Sequence, residues 1–266
     1  STGDNSTNPP ISGGRQPKSL ILDGYGSYGC ASEPYFDYKH ICLLDRGVIY
    51  ATPHIRGGNE LGRYWYEEQG KYLTKKNTFY DFIDCAEHLK KNSYTTKERL
   101  GIVGRSAGGL LIGAVVTIAP DLCAAAVADV PFVDSLITMS DPTIPLTVTE
   151  WEEWGNPNEE KFYEYMASYA PYQNLKPNTQ YPALLLTTGL HDPRVAYWEG
   201  AKFVAKLRDY YEHSTPCLSL NRPVLLKTDM STGHFSASDR YKFIKEASAE
   251  YAFMLNHIFP SEANTK

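Results

Sequence analysis

Residues 100–118, LGIVGRSAGGLLIGAVVTI, restrict the possible folds more than any other part of this chain. A short apolar run enters G-R-S-A-G and leaves as an apolar segment of helical length. Gly104 and Gly108 stand two residues on either side of Ser106, the spacing that a sharp strand-to-helix turn requires. In such a turn the serine is strained and its hydroxyl projects at the top of a sheet. Short patterns of this kind recur by chance, and a glycine-rich loop with an incidental serine fits the same residues. The rest of the chain has to supply what a nucleophilic serine needs.

Strand and helix signals alternate from Ser19 onward. SLILDG, GVIYATP, RLGIVG, AAAVADVPF, PALLLTTG and RPVLLKTD read as strands. NTFYDFIDCAEHLKKN reads as a helix with Phe79, Phe82, Ala86 and Leu89 on one face and Thr78 and Asp81 as a capping pair. AGGLLIGAVVTIA follows the serine as a second helix. AYWEGAKFVAKLRDYY is a third, with Trp198, Phe203 and Leu207 expected inward. The last helix, SASDRYKFIKEASAEYAFMLNHIF, places Tyr241, Ile244, Ala247, Tyr251, Leu255 and Ile258 at helical spacing. The stretch from about 133 to Pro182 reads as irregular. Strands separated by helices imply βαβ units and an α/β fold built on a mostly parallel sheet. Catalytic groups on such sheets lie beyond the carboxyl ends of the strands, where Ser106 falls.

Composition narrows the function. The 26 basic and 31 acidic residues give a net charge of −5, with no long like-charge block, which argues against a nucleic-acid partner. No apolar run approaches the ~20 residues of a membrane span, and no membrane association is expected. The cysteines (Cys30, Cys42, Cys85, Cys123, Cys217) are odd in number, scattered and without a C-x-x-C pair. Reduced thiols in a cytoplasmic protein are expected, with no metal and no cofactor. Residues 1–18 are nearly free of large apolar side chains and are expected to form a flexible arm ahead of a domain spanning 19–260.

A serine hydroxyl needs an imidazole base, and the imidazole needs a carboxylate to fix its tautomer. Hydrolases on such sheets order the three as serine, acid, histidine. His40, His54 and His88 precede Ser106, His257 lies within the last helix, His213 sits in a polar loop, and His191 occupies the place of the acid. His234 follows the last strand in DMSTGHFSAS, and Asp192 follows the strand before it in GLHDPRV. Taken singly, a loop histidine is an ordinary surface residue and Asp192 an ordinary helix cap. Together with Ser106 they fill three slots of one arrangement in the required order.

With DGYGSYG, HIRGGNELG, GRSAGG, EWEEWGNP, GLHDPRVAYWE and TGHFSASDRY in this sequence, the chain resembles the prolyl oligopeptidase family of serine peptidases, and within it the oligopeptidase B group, from Ser19 to Ile258. The resemblance implies an α/β-hydrolase fold, a Ser106–Asp192–His234 triad, and an oxyanion hole formed by the Ala107 N–H and the Tyr25 hydroxyl. It also implies cleavage of short basic peptides after Arg or Lys. Glu150 would take the P1 side chain and Glu152 would add to the acidity of the pocket. Phe132 would pack along the aliphatic stem, and Arg194 would bind the peptide beyond P1. On residue type alone the same acids suit a solvated helix start. The family's N-terminal β-propeller, expected in cis, has no counterpart in these residues. A carboxylesterase with the same triad and a non-catalytic hydrolase-like interaction domain are the competing functions.

Overall fold

The computed structural model describes residues 16–214, 222–235 and 240–259. Most of the expected arm therefore lies outside the described residues, as do Cys217 and the start of the last predicted helix. The end of the arm is tied to the body: Lys18 N–H donates to the Tyr94 carbonyl and Arg99 donates to the Pro17 carbonyl.

All six predicted strands form, as β1 (Leu20–Asp23), β2 (Ile49–Ala51), β3 (Leu100–Arg105), β4 (Ala125–Asp129), β5 (Ala183–Gly189) and β6 (Val224–Asp229). They pair in the order β2-β1-β3-β4-β5-β6, every pair parallel. Helices pack on both faces, as expected of an α/β-hydrolase fold. Alternate strand residues feed two cores. Leu20, Leu22, Ala126, Leu184 and Leu186 face one, while Ile21, Val127 and Leu185 face the other.

In chain order the helices are α1 (Ile41–Leu44), α2 (Arg63–Glu67), α3 (Lys76–Lys91), α4 (Ala107–Ile118), α5 (Ser135–Ser140), α6 (Thr147–Trp154), α7 (Glu160–Ala167), α8 (Tyr197–Glu212) and α9 (Arg240–Ile258). The first core lies against α3, α4 and α8, and the second is closed by Met254 and Ile258 of α9. Among the described residues, no helix is long and apolar enough to cross a membrane.

The structure corrects several expectations. The stretch read as irregular contains α5, α6 and α7, of 6, 8 and 8 residues, each too short for a clear periodic signal. Thr78 and Asp81 do not cap α3. Thr78 Oγ1 donates to the Arg56 carbonyl, and Asp81 accepts from the Arg56 N–H and guanidinium. Trp198 is exposed, because α8 turns Glu199, Gly200, Phe203, Val204 and Leu207 inward instead. Gly200 permits this, since a Cβ there would meet Thr188 Cγ2 at 2.8 Å. On α9, Tyr241 and Ile244 are exposed, and Met254, absent from the predicted stripe, is buried.

The strand order reverses between β1 and β3, the position where open parallel sheets place their ligands. Asp23 is in register with Val103, so the turn after β1 and the turn after β3 emerge side by side. Their contact is tight. A Cβ at Gly104 would lie 2.3 Å from the Gly108 carbonyl oxygen, and one at Gly108 would lie 2.5 Å from that of Gly24. Both obstacles are backbone and cannot swing away. Gly104→Ala is therefore expected to lower unfolding free energy by about 1–3 kcal/mol through overpacking. Urea unfolding checks this, and a loss below about 0.5 kcal/mol would be ordinary for a surface site and would contradict it.

Candidate active site

Ser106 is the N-cap of α4, with φ 56° and ψ −114°, a conformation costly for a non-glycine residue. Its N–H donates to the Asp129 carbonyl (2.9 Å), which fixes the turn against β4. Ala107, the first residue of α4, has an N–H without an intrahelical partner by position, at the positive end of the helix. The predicted turn thus forms as the glycine spacing demands.

The structure brings Asp192 and His234 to this serine. Asp192 follows β5 and His234 follows β6, and the two loops are linked by His191 N–H donating to the Thr232 carbonyl (3.1 Å). His234 Nε2 lies 3.0 Å from Ser106 Oγ, and its Nδ1 lies 2.7 Å from Asp192 Oδ2. Asp192 Oδ1 accepts the N–H groups of Arg194 (2.8 Å) and Val195 (2.9 Å). Burial pushes this carboxyl up. The His234 hydrogen bond and the two N–H groups outweigh burial and hold it below the usual carboxylate range. The acid stays ionised, and the imidazole has a fixed orientation. With Nδ1 facing a carboxylate, the ring's other nitrogen can accept the serine proton.

Arg105 braces the histidine through its main chain. Its guanidinium donates to the Asp129 carboxylate and to the His234 carbonyl oxygen. Neither Arg105 nor Asp129 stood out in the sequence, because an Arg at the variable position of the serine turn carries no motif signal.

Beside Ser106 opens a cavity of about 340 Å³ lined by Tyr25, Ala107, Phe132, Glu150, Trp154 and Arg194, among others. Tyr25 rises from the turn after β1. Burial, then the nearby Cys30 thiol and the Glu153 and Glu150 carboxylates, push its phenol up to about 12, so it is a proton donor at neutral pH. Phe132 is buried, with its ring centroid 5.5 Å from that of Trp154. Arg194 is exposed at the rim, its guanidinium carbon 5.2 Å from the centre of the Phe235 ring.

The acids divide in a way the sequence reading did not anticipate. Glu150 Oε2 accepts the Tyr28 hydroxyl (2.7 Å) and Trp154 Nε1–H (3.1 Å) at the cavity wall. Glu152 is exposed and is not part of the cavity lining; its carboxylate accepts the Tyr72 hydroxyl at 3.2 Å. Residues i and i+2 of a helix face different ways, whereas i, i+3 and i+4 share a face. Glu153 and Trp154 therefore accompany Glu150, and Glu153 is buried. Helical spacing was the missed signal that would have separated Glu152 from the others. Tyr28, in the same DGYGSYG turn as Tyr25, was also overlooked.

The far wall depends on a second buried acid. Glu199 of α8 accepts the Asp134 N–H (2.9 Å) and the Thr138 hydroxyl (2.7 Å), tying α8 to α5, whose Thr138 and Met139 line the cavity. Burial raises Glu199 to about 8 despite these bonds. Among the described residues, no group of three His, Cys, Asp or Glu side chains is placed to hold a metal ion.

Comparison with known proteins places this geometry in context. Residues 34–260 match the model of the Prolyl oligopeptidase family. The chain is 47% identical over 242 residues to Protease 2 of Moraxella lacunata, covering 91% of this chain and 34% of that protein. It is 48% identical over 240 residues to Dipeptidyl aminopeptidase BI of Pseudoxanthomonas mexicana, covering 90% and 32%. Among solved structures it is similar to oligopeptidase B from Leishmania major, with a TM-score of 0.86, 55% identity, and coverage of 91% of this chain and 33% of that one. Oligopeptidase B from Trypanosoma brucei, solved in a closed form with covalently bound antipain, gives the same values. The chain spans about a third of the length of these relatives. A family match over most of the chain, together with this degree of identity, shows that the chain belongs to the Prolyl oligopeptidase family.

Proposed function

We propose that this chain is the catalytic portion of a serine endopeptidase that hydrolyses short peptides after Arg or Lys through an acyl-enzyme. The observation that carries this reading is the continuous Ser106–His234–Asp192 hydrogen-bond relay beside a cavity that contains Glu150. In this reading His234 Nε2 takes the Ser106 proton as Oγ attacks the peptide carbonyl carbon. The new oxyanion accepts hydrogen bonds from the Ala107 N–H and the Tyr25 hydroxyl. His234 then passes the proton to the leaving amine, and water repeats the sequence on the acyl-enzyme. The covalent antipain of the Trypanosoma brucei relative supports chemistry through a covalent intermediate.

Specificity rests on Glu150. Tyr28 and Trp154 both bond its Oε2, so Oε1 is the oxygen this reading gives to a guanidinium or ammonium group. The carboxylate also favours this reading over a carboxylesterase, for which a cation acceptor has no use. Phe132 lies alongside for the aliphatic stem, and Arg194 at the rim for the peptide beyond P1. The greater length of the relatives would carry the β-propeller.

Ser106→Ala is expected to lower kcat on an arginyl amide by on the order of 10⁶ without unfolding the protein. Retention of a tenth of the rate would reject Ser106 as nucleophile. Tyr25→Phe is expected to cost about 10²–10³ in kcat, as loss of one oxyanion donor does. An effect confined to KM would make Tyr25 a binding residue instead. Glu150→Gln is expected to lower kcat/KM for Arg and Lys substrates by about one to two orders of magnitude, with a neutral P1 substrate little changed. Glu152→Gln should leave that preference intact. Matched Arg, Lys and neutral substrates on both variants check the pair, and equal losses on all three would mean that Glu150 only supports the fold.

A further inference from the structure

Behind the cavity lies an ion pair that the proposed chemistry does not use. Lys75, just ahead of α3, is 1% exposed. Its Nζ donates to the Gly26 carbonyl (2.6 Å), Ser27 Oγ (2.8 Å) and the Gly70 carbonyl (3.3 Å). It also lies 3.8 Å from Glu153 Oε1 and 5.1 Å from the centre of the Trp154 ring. Glu153, 3% exposed, accepts the Tyr28 N–H (3.0 Å) and the Tyr66 hydroxyl (2.5 Å). All three ammonium donors are therefore used. Burial still lowers the lysine to about 8, with Glu153 opposing that shift.

Burying two charges is expensive, and well-packed apolar residues commonly serve stability as well or better. The reason for the pair lies in what it joins. Gly26, Ser27 and Tyr28 form the turn that carries Tyr25. Glu153 and Trp154 share a face of α6 with Glu150. The Tyr28 hydroxyl bonded to Glu150 completes a closed ring: Lys75 to the turn, the turn to Glu150, Glu150 along α6 to Glu153, and Glu153 back to Lys75.

We propose that Lys75 and Glu153 are a positioning pair that holds the Tyr25 hydroxyl and the Glu150 carboxylate in one fixed spatial relation. Oxyanion stabilisation and recognition of a cationic side chain are thereby set together. The proposal rests on the reading of Tyr25 and Glu150 given above. It differs from a general structural role because it requires both functions to fall in parallel in a folded protein.

Two probes separate those functions on the whole chain. Agmatine, a guanidinium compound with no acyl carbon, reports the cation site through its Kd by calorimetry. A neutral alkyl fluorophosphonate reports the serine and its oxyanion donors through its labelling rate. Tyr25→Phe and Glu150→Gln serve as references, the first expected to slow labelling and the second to weaken agmatine binding. Lys75→Met and Glu153→Gln, with folding verified by circular dichroism, are each expected to impair both by about tenfold or more. A folded pair variant that keeps either value within about threefold of wild type overturns the proposal. If Lys75→Met does not fold, Glu153→Gln decides, because its amide oxygen still accepts the Tyr28 N–H. If both references leave both probes unchanged, the roles of Tyr25 and Glu150 are wrong, and the proposal falls with them. That result is distinct from working references beside silent pair variants.

Discussion

The top of this sheet is organised by the close approach of three backbones at Gly24, Gly104 and Gly108. Because side chains are absent there, α4 can start directly over β3, and the turn after β1 can lie against both. Ser106 pays for this geometry with a positive φ, a cost of about 1–3 kcal/mol that the buried length of α4 offsets. The placement of Tyr25, the Ala107 N–H and the serine hydroxyl in one small volume follows from that contact. Asp192 and His234 complete the site because β5 and β6 lie farther along the same parallel sheet and end at the same edge.

Electrostatics then divides labour among carboxylates that look alike in sequence. Asp192 is kept ionised by the imidazole and two N–H groups. Glu153 has the Lys75 ammonium beside it, so its charge is answered inside the protein. Glu150 is held at the cavity wall by two neutral donors, Tyr28 and Trp154, with no cation among the described residues bonded to it. Glu199, supported by an N–H and a hydroxyl but pushed up by burial, contributes shape to the pocket more than charge.

What the sequence made legible follows from the range over which its signals act. The strands were readable because buried parallel strands are short apolar runs bounded by glycine, proline or charge. The Ser106, Asp192 and His234 slots were readable because each follows such a run directly. The cavity was legible only in part. Glu150 came from a motif, but Glu152 was grouped with it by adjacency, and only the helical period of α6 separates them. Lys75 was invisible because a lysine near a helix start is ordinarily solvated, and its burial depends on Glu153, Trp154 and the Gly26 carbonyl, all distant in sequence. Trp198 was placed inward on hydrophobicity, and Tyr241 and Ile244 were grouped by helical spacing, whereas neighbouring α8 and α9 residues, led by Gly200 and Met254, set which face packs.

The passage from β4 to β5 has a further consequence. Two neighbouring parallel strands cannot be joined by a hairpin, so the chain must travel back along the sheet through a crossover of at least about a dozen residues. Here that obligatory return runs from 130 to 182 and includes α5, α6 and α7. Phe132, Glu150 and Trp154 all lie on it, whereas Ser106, Asp192 and His234 do not. In the proposed reading, selectivity is thus written on a detour the topology imposes anyway, and the reactive groups lie off it, after β3, β5 and β6. A lineage could rewrite the detour and acquire new substrates while inheriting its chemistry intact.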